Sequence, residues 1–195
     1  MTTRFWLVRH GPTHATGLVG WTDIPADLSD LDALQRLSDA LPADALIVSS
    51  DLVRATETAD AIAADRLRLH HDNALREMHF GQWDGRDHRD IPASEQALSR
   101  QFWEQPGDVA PPGGESWNRF AGRVQPAIRS LATEHEGRDI VVVAHFGVIV
   151  AALAMALQVP PKGAFSLHID NLSLTRIDHF AEYDGWRVTG VNHRP

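Results

Sequence analysis

Short apolar segments alternate with amphipathic stretches along the chain, and this alternation predicts a succession of strands and helices. Apolar segments bounded by turn residues predict strands at residues 5–8, 45–49, 67–71, 140–144, 172–178 and 186–191. A leucine stripe predicts a helix over residues 31–41, a second helix is predicted from Asp51 onward, and a buried apolar helix follows residue 145. Strands that alternate with helices predict a three-layer α/β/α domain with a mostly parallel central sheet.

Two segments stand out against this pattern. Residues 140–144 are Ile-Val-Val-Val-Ala, which is typical of a strand buried on both faces of a parallel sheet. Residues 78–114 are polar and contain four prolines, which predicts an insertion over the sheet edge that serves as a lid or specificity region. The last two strand segments are predicted to lie at a sheet edge. The length of the chain predicts that residues 1–195 form a single domain, and no internal repeat is present.

Composition narrows the class of protein. The chain has 43% hydrophobic and 23% charged residues, which is ordinary for a soluble globular protein, and a formal net charge of -8. This acidic balance argues against nucleic-acid binding, although a few arginines in one cleft can still bind a small anion. Cysteine is absent, which excludes disulfides, thiolate catalysis and cysteine-bound zinc. Neither a signal-peptide pattern nor an apolar stretch of membrane-spanning length is present, so we expect a cytoplasmic protein.

Residues suited to phosphate chemistry follow the predicted strands at the points where the strands end. Arg9 and His10 follow the first strand, Arg54 lies just after the second, and His145 follows residues 140–144. Glu77 lies just beyond the predicted strand at residues 67–71. Because the carboxyl ends of parallel strands meet at one edge of a sheet, we expect these side chains to converge.

Each of these residues also has an ordinary structural interpretation. A histidine at a strand end usually packs or hydrogen-bonds, Arg54 suits a solvated helix surface, and Glu77 suits an ion pair with Arg76. The combination favours chemistry, because guanidinium groups bind phosphate oxygens bidentately and a neutral imidazole is a nucleophile toward phosphorus. Neighbouring cations would lower the pKa of His10 and keep it neutral near pH 7. Such a set can stabilise phosphoryl transfer without a metal or a cofactor.

These segments make the chain resemble the histidine phosphatase superfamily, also called the phosphoglycerate mutase-like family, over nearly its whole length. Five motifs carry the resemblance: Leu7-Val8-Arg9-His10-Gly11 with Thr13, residues 50–55 with Thr58-Ala59, residues 77–85, residues 112–116 and residues 143–149. Any one of these motifs is weak, whereas five in order are highly specific. The resemblance implies the α/β/α fold predicted above.

The resemblance also implies a role for each matching residue. His10 is expected to accept the phosphoryl group and form a phosphohistidine, while Arg9, Arg54 and His145 hold the phosphoryl oxygens. Glu77 is expected to protonate the leaving alkoxide and then to help activate the hydrolytic water.

Further members of the site, and departures from the family pattern, follow from the same motifs. Thr13 and the backbone N–H of Phe146 are expected to add hydrogen bonds to the phosphate, and Glu115 to orient a loop outside the site. Asp51 stands where proline is usual, residues 12–15 lack the usual asparagine ligand, and Phe146 replaces a common glycine. None of these changes removes a reactive group.

The expected activity is hydrolysis of a small phosphorylated metabolite. Family mutases carry a longer insertion after the acid motif, with basic residues for a substrate carboxylate. Here residues 78–112 contain three arginines and no lysine, and Val148-Ile149 replaces a mutase-like asparagine. The chain therefore resembles the phosphatase branch more closely, including alpha-ribazole phosphatase-like members. Mutase-type phosphoryl transfer is the alternative.

Two hypotheses from other classes remain open. A regulatory domain would bind a phosphorylated ligand without turnover, although binding alone requires neither His10 nor Glu77. A metallohydrolase is suggested by 11 histidines and by His70-His71-Asp72, although the H-E-x-x-H spacing of zinc-binding helices is absent. The aromatic residues that would either line a substrate pocket or lie in the core are Trp21, Phe80, Trp83, Trp103 and Trp117.

Overall fold

The computed structural model describes the backbone of all 195 residues and every side chain except that of His88. One sheet contains five strands, which are β1 (Thr2–Arg9), β2 (Leu46–Ser49), β3 (Asp139–Ala144), β4 (Leu174–Phe180) and β5 (Gly185–His193). Their order across the sheet is β2-β3-β1-β4-β5. Strands β1, β2 and β3 run parallel, whereas β4 and β5 form an antiparallel hairpin, so the sheet is mixed with a parallel half.

Helices cover both faces of this sheet. They are α1 (Leu31–Asp39), α2 (Val53–Ala61), α3 (Gln96–Glu104), α4 (Trp117–Glu134), α5 (Phe146–Leu157) and the short α6 (Pro161–Ala164). Alternate residues of each strand point to opposite faces. Leu7 and Val142 therefore pack in a core with α4 and α5, while Val8 and Val143 pack in a second core with α1 and α2. The predicted three-layer α/β/α architecture is confirmed.

Three elements differ from the prediction. Residues 67–71 do not form a full strand: Leu69 N–H donates to the carbonyl of Ile47, but the pairing amounts to one parallel bridge because the chain then turns into the 3₁₀ helix Asn73–Leu75. Strand β4 is not at an edge, because it lies between β1 and β5. The longest helix, α4, was not predicted, because Pro126 interrupts its pattern.

Residues 78–114 pack onto the domain through buried apolar side chains. This segment contains the 3₁₀ helices Gly81–Trp83, His88–Asp90 and Ala93–Glu95 followed by α3. Trp83, Ile91 and Phe102 are fully or almost fully buried in the core shared with α4 and α5. Within the part of the chain that the structure describes, no helix has both the length and the apolar character needed to cross a membrane.

Candidate active site

The carboxyl ends of β1, β2 and β3 bring the predicted residues to one edge of the sheet. Arg9 ends β1 and His10 follows it, Arg54 lies in the first turn of α2, and His145 is the residue that precedes α5. The rings of His10 and His145 lie 5.1 Å apart between centroids. A cavity of about 450 Å³ is lined by Arg9, His10 and Glu77, whereas Arg54 and His145 are fully buried and do not line it.

The imidazole of His10 is held in a single tautomer. Its Nδ1 lies 2.6 Å from the carbonyl oxygen of Gly11. Because a carbonyl only accepts, Nδ1 carries the proton and Nε2 keeps its lone pair. Burial, followed by the charge of the neighbouring Arg54, lowers the pKa of His10 to about 3. The ring is therefore neutral at pH 7 and presents Nε2 as a nucleophile.

Arg54 is fully buried and each of its three guanidinium nitrogens donates a hydrogen bond. Nε donates to Nε2 of His10 at 3.3 Å, while Nη1 and Nη2 donate to the carbonyls of Thr22 at 3.0 Å and Gly20 at 2.7 Å. Burial lowers the pKa of Arg54, and the charge of Glu77 opposes that shift. The Arg54 guanidinium thus contacts Nε2 of His10, the atom that would accept a phosphoryl group.

Arg9 and His145 present buried polar atoms that the protein does not satisfy. Arg9 Nη1 donates to the carbonyl of Ile169 at 2.6 Å, but within the described part of the chain Arg9 Nε and both ring nitrogens of His145 have no hydrogen-bond partner. Burial lowers the pKa of His145, and the charge of His10 adds to this effect. Buried polar groups are normally paired. Arg9 Nε and the one protonated ring nitrogen of the neutral His145 are donors, so they suit a ligand with several acceptor oxygens, such as phosphate.

Glu77 is held by two backbone N–H groups, one of which lies in the first turn of α5. Its Oε1 accepts from Met78 N–H at 2.8 Å and its Oε2 accepts from Gly147 N–H at 3.1 Å. Burial raises the pKa of Glu77 above its ordinary value, although these two hydrogen bonds and the charges of Arg54 and Arg9 oppose the shift. A carboxyl group with a raised pKa on a cavity wall suits proton transfer.

Two further predicted residues, Thr13 and Phe146, lie at the cavity. Thr13 and the ring of Phe146 line it, and the guanidinium of Arg9 lies 5.9 Å from the centre of the Phe146 ring. The backbone N–H of Phe146 is in the first turn of α5, where N–H groups have no partner within the helix. Glu115 lies outside the cavity and accepts a hydrogen bond from His79 N–H.

Sequence analysis did not identify four residues that shape the site. Asn171 donates to the carbonyls of His10 and Gly11 and lines the cavity. Thr58 lies in a recognised motif, but its structural role was not predicted. Its hydroxyl donates to the carbonyl of Arg54 at 2.7 Å and accepts from Gly11 N–H at 2.9 Å. Arg123 donates to the backbone carbonyl of Glu77. Asp84 accepts from Gly20 N–H, in the loop whose carbonyls accept from the side chain of Arg54. All four act on backbone atoms, which no side-chain motif reveals.

The residues behind the metallohydrolase hypothesis make local contacts. His71 Nδ1 lies 3.0 Å from the hydroxyl of Ser49, and Asp72 accepts from Ala74 N–H. Among the side chains that the structure describes, no group of three or more His, Cys, Asp or Glu residues is placed to hold a metal ion.

The aromatic residues divide between core and cavity. Trp83 and Trp117 are buried in the core, whereas Phe80 and Trp103 line the cavity. Trp21 donates its indole N–H to the carbonyl of Glu77 at 2.8 Å.

Comparison with known proteins shows the family of the chain. The chain matches the family described as "Histidine phosphatase superfamily (branch 1)" over residues 5–194. It is 32% identical over 192 residues to adenosylcobalamin/alpha-ribazole phosphatase of Escherichia coli (strain K12), across 95% of this chain and 94% of that protein. It is 36% identical over 171 residues to glucosyl-3-phosphoglycerate phosphatase of Mycolicibacterium vanbaalenii, across 80% of this chain and 75% of that protein.

Solved structures show the same fold. The alpha-ribazole phosphatase from Shigella flexneri superposes with a TM-score of 0.85 at 27% identity, across 98% of this chain and 96% of that one. A mycobacterial glucosyl-3-phosphoglycerate phosphatase superposes with a TM-score of 0.82 at 28% identity, across 98% and 99% of the two chains. The chain therefore belongs to branch 1 of the histidine phosphatase superfamily.

Proposed function

We propose that the protein hydrolyses phosphate monoesters of small metabolites through a covalent phosphohistidine at His10, without a metal ion. The observation that carries the proposal is the neutral His10 with its Nε2 lone pair directed toward Arg54, beside the unsatisfied donors of Arg9 and His145. The phosphatase names of the relatives support the same chemistry. A cytoplasmic location and the absence of a nucleic-acid partner remain predictions.

In the first step, Nε2 of His10 attacks phosphorus and the bond from phosphorus to the ester oxygen breaks. Arg9, Arg54 and His145 stabilise the charge on the phosphoryl oxygens, with Thr13 and the Phe146 N–H as additional donors. The leaving alkoxide takes the carboxyl proton of Glu77 and departs as an alcohol. The hydrogen bond from Nδ1 to the Gly11 carbonyl stabilises the positive charge that the ring acquires.

In the second step, water attacks the phosphorus of the phosphohistidine. The Glu77 carboxylate takes a proton from this water, the phosphorus–nitrogen bond breaks, and inorganic phosphate leaves. His10 returns to its neutral form and Glu77 to its protonated form, so the cycle is closed. One carboxyl group thus serves first as acid and then as base.

The test is hydrolysis of p-nitrophenyl phosphate in excess EDTA by the wild type, His10→Ala and His70→Ala. His70 is an exposed histidine of the metallohydrolase hypothesis, so it serves as the matched control. We expect the wild type and His70→Ala to be equally active with or without EDTA. His10→Ala should lose at least about a thousandfold in kcat/KM. Rapid alkaline quenching, which leaves the acid-labile phosphorus–nitrogen bond intact, should trap phosphate on His10.

Each alternative predicts a different result. Loss of activity in EDTA or in His70→Ala would favour a metallohydrolase and overturn the role of His10. Phosphate binding without turnover of any ester would favour a regulatory domain. Transfer of the phosphoryl group to a second hydroxyl of phosphoglycerate, faster than release of inorganic phosphate, would favour mutase chemistry.

A further inference from the structure

The cavity at His10 is lined by two kinds of side chain. Arg9, His10 and Glu77 are its titratable groups. The other side chains are mostly apolar: Leu18, Val19, Met78, Phe80, Trp103, Phe146 and Phe165. A cavity of about 450 Å³ has far more room than a phosphate group fills, so this apolar lining is available to the alcohol part of an ester.

Part of the apolar lining is a wall of aromatic rings that pack on one another. The ring of Trp103 lies 6.1 Å from that of Phe80 and 6.0 Å from that of Phe165 between centroids. Phe102 supports Trp103 edge-on at 4.8 Å, and Trp117 supports Phe165 at the same distance. Phe102 and Trp117 are buried, whereas Trp103 keeps 36% of its surface exposed. Such a preformed wall binds a flat apolar group without first having to become ordered.

Among the described side chains that line the cavity, Arg9 is the one permanent cation, so a charged alcohol half meets no second one. Arg89 and Arg100 of the insertion line a separate surface depression, which shares Trp103 with the cavity. A carboxylate or second phosphate placed against the apolar lining would therefore be desolvated without a partner, which is costly.

We infer that the substrates of this phosphatase are monophosphate esters whose alcohol half is uncharged and carries an aromatic or similarly flat apolar group, packed against Trp103 and Phe165. This inference rests on the proposed function and names the substrate class of the same site. It assigns a specificity role to α3, which contributes Trp103 from within residues 78–114.

The first measurement compares three alkyl esters with the wild type: ethyl phosphate, 2-carboxyethyl phosphate and 2-(2-naphthyl)ethyl phosphate. All three release a primary alcohol, so the chemical step is similar. Differences in kcat/KM therefore report how well the cavity binds the alcohol part of each ester. We expect the naphthylethyl ester to exceed ethyl phosphate about tenfold or more. The carboxyethyl ester should be no better than ethyl phosphate.

The second measurement uses Trp103→Ala, with Tyr183→Ala as the control. Tyr183 is an exposed aromatic residue in the turn between β4 and β5, far along the chain from α3. Trp103→Ala should lower kcat/KM for the naphthylethyl ester about tenfold while ethyl phosphate stays within about twofold. Tyr183→Ala should change neither value.

The outcomes separate this inference from the proposed function. Equal kcat/KM for the three esters, or a preference for the carboxyethyl ester, overturns the inference while the phosphatase remains. A loss in Trp103→Ala that is equal for ethyl and naphthylethyl phosphate overturns it as well, because the residue would then act on the fold. Absence of His10-dependent turnover with these esters and with p-nitrophenyl phosphate would overturn both.

Discussion

The guanidinium of Arg123 donates a 2.8 Å hydrogen bond to the backbone carbonyl of Glu77. It also donates to the carbonyls of Ala74 and Arg76, and bidentately to the carboxylate of Glu115, all at 2.8 Å. All five N–H groups of this arginine are therefore used. Arg123 lies on α4, so the longest helix of the domain positions the backbone that carries the proposed acid.

We predict that Arg123→Lys weakens acid catalysis selectively. An ammonium group has three donors and no planar fork, so it cannot satisfy the three carbonyls and the carboxylate together. For ethyl phosphate, whose alkoxide needs a proton, kcat should fall about tenfold or more. For p-nitrophenyl phosphate, whose leaving group needs none, the loss should be smaller.

Arg119→Lys is the matched control for this prediction, because Arg119 is an exposed arginine on the same helix. It should leave both rates unchanged. Losses of equal size on the two esters in Arg123→Lys would mean that the residue supports the fold in general. Thermal unfolding of both variants measures that contribution directly, which we expect to be about 1–3 kcal/mol for Arg123.

A second prediction concerns Gly147, which lies against the carboxyl group of Glu77. A Cβ atom at this position would overlap Glu77 Oε1 and would also press on the ring of Phe120. Gly147→Ala should therefore displace the acid and lower kcat for ethyl phosphate about a hundredfold. Gly122→Ala is the control: it lies inside α4 with open space around its Cβ position, so it should keep full activity and gain about 0.5–1 kcal/mol of stability. Wild-type kinetics in Gly147→Ala would contradict the placement of Glu77.

The pH dependence should follow Glu77 rather than His10. Burial raises the pKa of Glu77, and the acid must be protonated when the ester binds. The kcat/KM for ethyl phosphate should therefore be high below this raised pKa and fall as the pH increases through it. His10 has a pKa of about 3, so it stays neutral over this range and imposes no acidic limb there.

The substrate itself complicates this profile, since a phosphate monoester loses its second proton near pH 6, about the value for phosphoserine. Glu77→Gln separates the two effects: it keeps the substrate ionisation and removes that of the acid. We expect the alkaline fall of the wild type to flatten in Glu77→Gln, together with a lower rate for ethyl phosphate. Identical profile shapes in the two proteins would exclude Glu77 as the acid.

Local sequence pattern was sufficient for the parallel half of the fold. The β-branched run at residues 140–144 became β3, because a strand buried on both faces needs an apolar side chain at every position. Residues 67–71 carry a weaker version of this pattern and lie at the sheet edge. A segment there pairs on one side only, so its apolar pattern does not predict how long a strand it forms. In α4, the buried stripe has helical spacing, but Pro126 removes a backbone donor. The helix therefore depends on packing of its buried face against the rest of the domain, which local sequence does not predict.

The proposed site also has a part that the sequence pattern predicts and a part that it does not. Arg9, His10 and His145 follow parallel strands directly, so their meeting at one edge was predictable from strand order alone. Glu77 reaches the cavity even though the strand predicted before it does not form, because Arg123 and the start of α5 hold its segment. Such contacts join a side chain to the backbone of a distant segment, and a motif that identifies one residue does not predict which distant backbone group it meets.

Asp84 provides the last prediction, because it organises the loop that holds Arg54. Its carboxylate accepts the N–H groups of Gly20, Trp21 and Thr22 at 2.9, 2.8 and 3.0 Å. The carbonyls of Gly20 and Thr22 in turn accept from the guanidinium of Arg54. In Asp84→Asn, an amide NH₂ replaces one acceptor oxygen and opposes the loop N–H groups that donated to it. The loop should shift and Arg54 should lose its fixed position.

Since Arg54 is proposed to act on the phosphoryl group and not on the leaving group, Asp84→Asn should lower kcat/KM by a similar factor, about tenfold, for ethyl phosphate and p-nitrophenyl phosphate. The inhibition constant of inorganic phosphate should increase in parallel. Asp65→Asn, at an exposed aspartate beyond α2, should change none of these values. A loss confined to ethyl phosphate would show that Asp84 acts through Glu77 instead, and an unchanged inhibition constant would show that the loop does not position Arg54.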